Sequence, residues 1–336
     1  MVKPLFDFLA DTWRVFVGLG LALAITWALT PAVAELARRM GALDAPSARK
    51  IHSEPMPRLG GIAIYFGVII PSLLLLSFEG PMRGILVGAS LITLVGMLDD
   101  VRGTSPLVKL GLQFAVASIL VLGWVAIPLS LIWVVAIMNI VNFIDGMDGL
   151  AAGVCVISSV TFSIISLSLG RIDVGVLAAI TAGSTAGFLR HNFYPASIFM
   201  GDSGSLLLGF LLAAITLQGF LKGVATVALL IPLLVLGIPI FDTGFAILRR
   251  IKNRQPIYVA DRGHLHHRFA NLGYSQRQTV MILYSWSGLM SVVALCKQFA
   301  PLWVTAVAAS VAVIVSALLA YKLEILRWRK LTGRWS

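Results

Sequence analysis

The sequence predicts an all-α integral membrane protein that crosses the bilayer about eleven times, with ten as the lower count. Of its 336 residues, 58% are hydrophobic and 12% are charged, and the mean hydropathy is +0.93. A soluble domain carries about 25% charged residues. A membrane helix needs roughly 17–25 apolar residues. The segments that meet or approach this length are 15–33, 61–78, 83–98, 109–125, 127–143, 149–169, 174–190, 203–220, 224–247, 278–296 and 300–321.

Lysine and arginine are divided unequally between the two sides of these segments. Alternate connections, starting between the first two segments, hold twenty of the 26 basic residues. Basic loops stay in the cytoplasm, so we expect the N-terminus outside and the C-terminus inside. The net charge of +11 is explained in the same way, and no nucleic acid is expected as a partner. We expect one transmembrane catalytic domain over 1–336, with 249–277 as a large cytoplasmic loop.

Five polar clusters interrupt the apolar segments, and the predicted orientation places all five on the cytoplasmic side. A carboxylate near lipid costs roughly 2.5–3.5 kcal/mol on insertion scales, so such groups indicate function. The clusters predict an active site built from loops at the membrane face. They are RKIHSEPMPRLGG (49–61), LDDVRG (98–103), NIVNFIDGMDG (139–149), FMGDSGS (199–205) and DRGHLHHRF (261–269).

Asp99 and Asp100 end the third apolar segment. Two adjacent carboxylates repel each other, so one pKa tends to rise unless a cation lies between them. The pair therefore suits a divalent metal ion or a general base. The alternative is a solvated helix end beside Arg102.

The stretch 139–149 carries amides and carboxylates at every third position. On a helix this spacing forms one slowly drifting stripe, and oxygen ligands on one stripe suit Mg²⁺ and a nucleotide. Capping and a polar contact between helices are the alternative interpretation. The residues of the stripe are Asn139, Asn142, Asp145 and Asp148.

The FMGDSGS cluster precedes an apolar helix, and we expect Asp202 or Ser203 to cap that helix. Free N–H groups and the helix dipole at the same position suit phosphate. Phe199 is placed to stack on a base. Capping alone is the alternative explanation of Asp202.

Three histidines lie close together in the DRGHLHHRF cluster, at His264, His266 and His267. Zinc is disfavoured because no Cys or Glu completes a site and the flanking arginines repel a dication. Guanidinium forks, including that of Arg268, together with imidazole donors suit a diphosphate. A solvated basic loop is the alternative.

The first loop combines Lys50 with other basic residues and two prolines, which suits phosphate close to lipid. In the alternative interpretation, the basic residues of this loop only set the orientation of the helices in the membrane. Asp242, inside the ninth segment, suits either structural pairing or support of the site.

Acidic groups for Mg²⁺, basic groups for diphosphate and membrane walls together fit phosphoryl transfer between a nucleotide and a lipid phosphate. Over essentially the whole chain, the five ordered motifs resemble the polyprenyl-phosphate N-acetylhexosamine-1-phosphate transferases. The HLHHR and PRLGG forms and the run PIFDTGFAILRR (239–250) resemble the N-acetylglucosamine-1-phosphate branch, which includes enzymes that start O-antigen or teichoic acid synthesis. The phospho-N-acetylmuramoyl-pentapeptide transferases are the alternative, although they usually have three consecutive histidines. The family's lysine three residues after the Asp pair is replaced by Gly103.

The resemblance implies that UDP-N-acetylglucosamine and undecaprenyl phosphate react to give undecaprenyl-diphospho-N-acetylglucosamine and UMP. It implies Mg²⁺, with Mn²⁺ as an alternative, at the cytoplasmic face of the plasma (inner) membrane. Asp99 would be the base, with Asp100 beside it, and Asp202 would be a catalytic metal ligand. Further metal ligands would be Asp100, Asn142 and Asp145. The implied substrate contacts are Lys50, Asn142, Asp145, Asp148, Phe199, His264, His266, His267 and Arg268.

Two other classes of protein compete with this interpretation. A transporter of an anionic solute places its charges near the midplane on repeated halves, whereas these carboxylates cluster at helix ends and no repeat is evident. A silent scaffold would not need both acidic and histidine clusters. The partners expected are the two substrates and membrane lipids. A homodimer is a further possibility.

Overall fold

The computed structural model describes residues 3–44, 55–121, 127–220 and 272–322, together with positions 233, 235–237, 240, 244 and 269. Within these residues the chain is mainly helical. Its elements in chain order are α1 (Lys3–Arg39), β1 (Leu43–Asp44), β2 (Met56–Pro57), α2 (Gly60–Leu75), α3 (Gly80–Arg102), α4 (Pro106–Val121), α5 (Ile127–Ile144), α6 (Leu150–Ser168), α7 (Ile172–Asn192), α8 (Gly201–Phe220), α9 (Gln276–Phe299) and α10 (Leu302–Lys322).

The predicted all-α, multi-pass membrane architecture is confirmed. Within the described residues, seven helices are long and apolar enough to cross a membrane, and α2, α4 and α5 contain shorter apolar helices. Most of the predicted span 224–247 lies outside the described residues, so the total of eleven and the orientation stay predictions. The first predicted span, 15–33, lies within the candidate membrane span Thr12–Arg39, and α1 extends beyond it to begin at Lys3. Hydropathy finds only the apolar part of a longer helix.

Helix α8 lies at the centre of the helix bundle. Of its candidate span, 89% is buried, compared with 6% for α10. It packs against α2, α3, α5, α6 and α7, as expected for a helix that is apolar on all sides. At one end its backbone meets that of α3, where a Cβ on Gly96 would lie 2.4 Å from the backbone N of Ser203. This contact brings the Asp99–Asp100 pair beside the start of α8.

Polar side chains join α1, α2 and α7 within the apolar region. Thr26 Oγ1 and Ser184 Oγ lie 2.8 Å apart, and the Ser184 hydroxyl donates to the carbonyl of Ile64 at 2.8 Å. Near the other end of α1, Arg14 donates to Asp173 at 3.0 Å. Interhelical hydrogen bonds satisfy groups that lipid leaves unpaired, so these contacts fix the N-terminal helix against its neighbours.

A short strand pair in the first loop was not predicted. Strands β1 and β2 pair antiparallel, with Leu43 opposite Pro57. The Phe199 N–H donates to the Pro57 carbonyl at 2.8 Å, and the Gly60 N–H donates to the Phe199 carbonyl at 3.0 Å. The first loop is therefore joined to the segment before α8, where the half-buried Phe199 lies.

Candidate active site

Three helix ends bring two carboxylates and one ammonium group together. Asp99 lies in the last turn of α3, Lys109 in the first turn of α4 and Asp202 in the first turn of α8. Lys109 Nζ lies 3.0 Å from Asp99 Oδ2 and contacts Asp202 Oδ2 directly. The three side chains are only 13–17% exposed. We call these residues the acid–lysine cluster, in which the ammonium group offsets the repulsion between the two carboxylates.

The turn after α3 holds the second carboxylate oxygen of Asp99. Asp99 Oδ1 accepts a hydrogen bond from the Thr104 N–H at 2.6 Å and another from the hydroxyl of the same residue. The chain reverses between them at Gly103, whose φ of 67° favours glycine. Asp99 is thereby oriented with one oxygen on the turn and the other on Lys109.

Asp100 has a different environment from Asp99. Its side chain is completely buried. It accepts hydrogen bonds from the backbone N–H groups of Asp202 at 2.8 Å and Ser203 at 3.0 Å, and from Arg58 at 3.1 Å. The first N–H groups of a helix lack partners within it, and negative charge is favourable there. Asp100 therefore caps α8 from a neighbouring helix.

The predicted cap of α8 was wrong. Asp202 or Ser203 was expected to provide it, but Asp100 binds the backbone N–H groups of both residues, which are therefore not free for phosphate. Gly201 permits this arrangement because its φ is +68°, and a Cβ there would lie 2.1 Å from the Arg58 carbonyl oxygen and 2.5 Å from Asp100 Oδ2. A side chain at position 201 would separate α8 from its cap.

The first two members of the predicted stripe contact different helices. Asn142 Nδ2 lies 2.8 Å from Asp202 Oδ1 and donates to the Ser205 hydroxyl at 2.8 Å. Asn139 Nδ2 donates to Gln113 Oε1 on α4 at 2.6 Å. Both residues make the polar contacts between helices that the alternative interpretation expects, and Asn142 in addition reaches Asp202 of the acid–lysine cluster.

The turn between α5 and α6 holds the last two members of the stripe. Asp148 accepts a hydrogen bond from the Ala196 N–H at 3.0 Å, which ties this turn to the segment before α8. Burial raises the pKa of Asp145 well above its usual range, and the Asp100 and Asp148 carboxylates raise it further, whereas Arg58 lowers it. A cation brought to this turn would favour the ionised form of Asp145.

The described residues offer oxygen atoms that suit a hard cation. Within them, no group of three His, Cys, Asp or Glu residues could by itself hold a metal ion. However, Asp99 and Asp202 reach one ammonium group, and Asn142 contacts Asp202. Carboxylate and amide oxygens are ligands that Mg²⁺ accepts. The chemistry of these donors therefore fits Mg²⁺.

Several predicted residues lie outside the described residues, so their placement stays a prediction. These are Asp242, Lys50 and the histidine-motif residues His264, His266, His267 and Arg268. Phe269, which ends the motif, is described and is only 2% exposed. Its ring packs edge-on against Tyr274, with centroids 5.6 Å apart. The motif therefore ends at a packed contact just before α9.

Comparison with known proteins assigns the family. The model of glycosyl transferase family 4 matches residues 82–220, which run from α3 to α8 and include the acid–lysine cluster. A probable undecaprenyl-phosphate N-acetylglucosaminyl 1-phosphate transferase of Bacillus subtilis is 40% identical over 312 residues, which cover 87% of each chain. The chain belongs to glycosyl transferase family 4, the polyprenyl-phosphate sugar-1-phosphate transferases. It is a membrane-embedded phosphotransferase.

Two further relatives of this transferase differ in their named activity. A decaprenyl-phosphate N-acetylglucosaminephosphotransferase of Mycobacterium leprae is 37% identical over 82% of this chain and 81% of its own. A phospho-N-acetylmuramoyl-pentapeptide-transferase of Clostridium botulinum is 31% identical over 67% of this chain and 77% of its own. The N-acetylglucosamine relatives are thus matched over more of the transferase than the pentapeptide relative.

Two residues of the candidate site were not predicted in these roles. Lys109 was counted only among the charges that set the topology, although it is the one charged residue in the apolar segment 109–125. A lone charged residue at the end of an apolar segment usually pairs with an opposite charge. The position of Lys109 in the sequence could therefore have predicted an acidic partner. Arg58 was predicted as part of a basic loop, but its pairing with Asp100 depends on tertiary packing.

Proposed function

We propose that this transferase moves N-acetylglucosamine-1-phosphate from UDP-N-acetylglucosamine to undecaprenyl phosphate. The products would be undecaprenyl-diphospho-N-acetylglucosamine and UMP, as the first membrane step of a cell-envelope polysaccharide such as teichoic acid or O-antigen. The acid–lysine cluster at the ends of membrane helices carries the proposal, because it combines acidic and basic groups beside lipid. The name of the Bacillus subtilis relative supports this sugar and acceptor.

In the proposed reaction, an oxygen of the lipid phosphate attacks the sugar-linked phosphorus of the nucleotide sugar. A new phosphorus–oxygen bond forms while the bond from that phosphorus to the UMP oxygen breaks, and UMP leaves with the bonding electrons. Asp99 is the proposed acceptor of the proton from the lipid phosphate. Lys109, 3.0 Å from Asp99, is a fixed positive charge that favours a phosphate there.

The residues proposed to hold Mg²⁺, or Mn²⁺ in its place, are Asp202, Asn142 and Asp145. When bound, the cation would offset negative charge on the diphosphate. The contact between Asn142 and Asp202 supports their assignment. Asp100 is now proposed as a support of Asp202 rather than a metal ligand, because three N–H groups already bind its oxygens.

The proposed contacts to UDP-N-acetylglucosamine come from several separate segments. Phe199 would stack on uracil, while the turn at Asp145 and Asp148 would contact the nucleotide. The histidine motif and Lys50 would hold phosphate groups. The chain is proposed as a single catalytic domain, and the distribution of lysine and arginine supports a site on the cytoplasmic face of the plasma membrane.

Turnover of a panel of nucleotide sugars tests the proposal. The purified protein in nanodiscs with undecaprenyl phosphate and Mg²⁺ would be given UDP-N-acetylglucosamine, UDP-N-acetylgalactosamine or UDP-N-acetylmuramoyl-pentapeptide. UMP release should be fastest with UDP-N-acetylglucosamine. Release only with the pentapeptide substrate would instead support the peptidoglycan branch, and release with none of the three would contradict the proposed donor and support a different nucleotide sugar.

The route of phosphoryl transfer has its own test. The competing route forms a phosphoryl-Asp intermediate before the lipid reacts. That route predicts exchange of labelled UMP into UDP-N-acetylglucosamine in protein freed of lipid phosphate. Direct attack predicts no exchange until undecaprenyl phosphate is added, and lipid-independent exchange would exclude it.

A further inference from the structure

A pair of amide side chains, one buried and one half-buried, joins α4 to α5 one turn from the acid–lysine cluster. Gln113 on α4 is completely buried. Its Oε1 accepts a hydrogen bond from Asn139 Nδ2 at 2.6 Å, and its Nε2 lies 3.5 Å from Asn139 Oδ1. Asn139 Nδ2 also donates to the Val135 carbonyl at 2.8 Å, which fixes the amide on its own helix. Reciprocal contacts of this kind restrict the rotation of both helices.

Helix α4 has little other anchorage near the cluster. From 106 to 112 none of its side chains is buried, and its first buried side chain is that of Gln113. The remaining buried residues lie farther along the helix at Val116, Ala117 and Leu120. Within the described residues, the position of Lys109 therefore depends mainly on its own ion pairs and on the amide pair.

The spacing of the four polar residues connects the amide pair with the cluster. Lys109 and Gln113 are four residues apart on α4, and Asn139 and Asn142 are three apart on α5, so each set shares one helix face. One set of contacts thus joins Gln113 to Asn139, and the next turn brings Lys109 and Asn142 to Asp202. A rotation of α4 that broke the amide pair would also move Lys109.

We infer that the Gln113–Asn139 pair is a positioning device for Lys109, which places the ammonium group between Asp99 and Asp202. The expected effect on turnover rests on the proposed function. The expected effect on the position of residue 109 does not. Neither amide has to touch the substrate. Polar side chains inside membrane bundles are retained for specific contacts between helices, and this pair orients the cation of the site.

The kinetic test compares Q113L in two backgrounds. In the wild-type background, kcat for UMP release should fall between about 10-fold and 100-fold, because small misplacement of a catalytic group has effects of this size. The KM for UDP-N-acetylglucosamine should stay near the wild-type value. In a K109M background, Q113L should cause no further loss, because the group that it positions is already absent. An equal loss in both backgrounds would overturn the inference.

Matched variants separate positioning from folding. Gln218 on α8 is also a buried glutamine, and its Nε2 has no hydrogen-bond partner. The Q218L variant removes a comparable side chain at the other end of α8 and should keep near wild-type kcat. The exchanged pair Q113N/N139Q should recover much of the turnover lost by Q113L. A lack of recovery, with normal folding, would count against the pair.

A cross-linking measurement tests the geometry without turnover. In protein whose two native cysteines, Cys155 and Cys296, are replaced by Ala, K109C and D202C would be joined by a short bis-methanethiosulfonate. The yield should be high with Gln113 present and at least several-fold lower with Q113L. An unchanged yield would overturn the inference even if K109M turnover were too low to measure. The cross-linking yield does not depend on turnover, so it would be the same if the proposed substrates were wrong.

Discussion

The Asp100 carboxylate on α3 accepts a hydrogen bond from the backbone N–H of Asp202 on α8 at 2.8 Å. Its neighbour Asp99 meets the side chain of Asp202 through the ammonium group of Lys109. Helix α3 thus contacts the main chain of Asp202 with one aspartate and approaches its side chain with the other. We assign the first contact to positioning and propose the second for catalysis.

The D202N variant should lose turnover by at least about 100-fold, because the amide cannot supply the negative charge proposed to hold the cation. UMP release by the purified variant is the measurement. D173N is the control, since Asp173 pairs with Arg14 in an ion pair remote from the cluster, and its turnover should be near that of the wild type. Similar losses in both variants would contradict a specific role for Asp202.

The D100N variant should unfold at a lower temperature and turn over more slowly. An amide offers one acceptor oxygen to three donors, and loss of a helix cap costs about 0.5–2 kcal/mol. Thermal unfolding without metal, followed by tryptophan fluorescence, measures the stability. R58M removes the partner of the same carboxylate, so R58M/D100N should lose less stability than the sum of the single variants. Strict additivity would show that the two residues are not coupled.

The G201A variant should lower both the unfolding temperature and kcat. Its Cβ would lie 2.1 Å from the Arg58 carbonyl oxygen, at a φ of +68° that L-residues rarely adopt. G111A is the control, because a Cβ at Gly111 meets nothing within 4 Å. Alanine in a helix is favourable at such a position, so G111A should retain or raise stability. Normal stability of G201A would refute the close contact between α8 and Asp100.

The D145N variant should be more stable than the wild type at neutral pH in metal-free buffer. The pKa of Asp145 is higher in the folded protein than in the unfolded chain. Ionisation of this residue therefore costs stability as pH rises above the unfolded-state value. The amide avoids this cost, so the difference in unfolding temperature should shrink at acidic pH, where both states are protonated. A pH-independent difference would contradict the raised pKa.

The fold class was predictable because hydropathy reports the cost of placing polar residues in lipid, and that cost is local to each segment. The meeting of several polar clusters was also foreseeable. Arg58, Asp100, Asn142 and Asp202 come from four of the five clusters and lie in one connected set of contacts. Their common placement follows from the alternating direction of helices that each end in a polar cluster.

The partner of each polar residue was not predictable from spacing. Asn139 and Asn142 are the same residue type on one predicted stripe, but one contacts Gln113 and the other Asp202. The difference depends on the rotation of α4 and α8 around α5. The use of Asp100 as the cap of α8 likewise depends on the close approach of two helix backbones at Gly96. Such tertiary distances leave no periodic signal in the sequence.

Identification of the lipid product tests the central claim most directly. The wild-type protein and D202N would be incubated with UDP-N-acetylglucosamine, undecaprenyl phosphate and Mg²⁺, with UMP quantified and the lipid identified by mass spectrometry. The wild-type protein should form one undecaprenyl-diphospho-N-acetylglucosamine for each UMP released. The D202N variant should form almost none of either product. A folded wild-type protein that forms neither product, or a D202N variant with undiminished yield, would contradict the proposed transferase site.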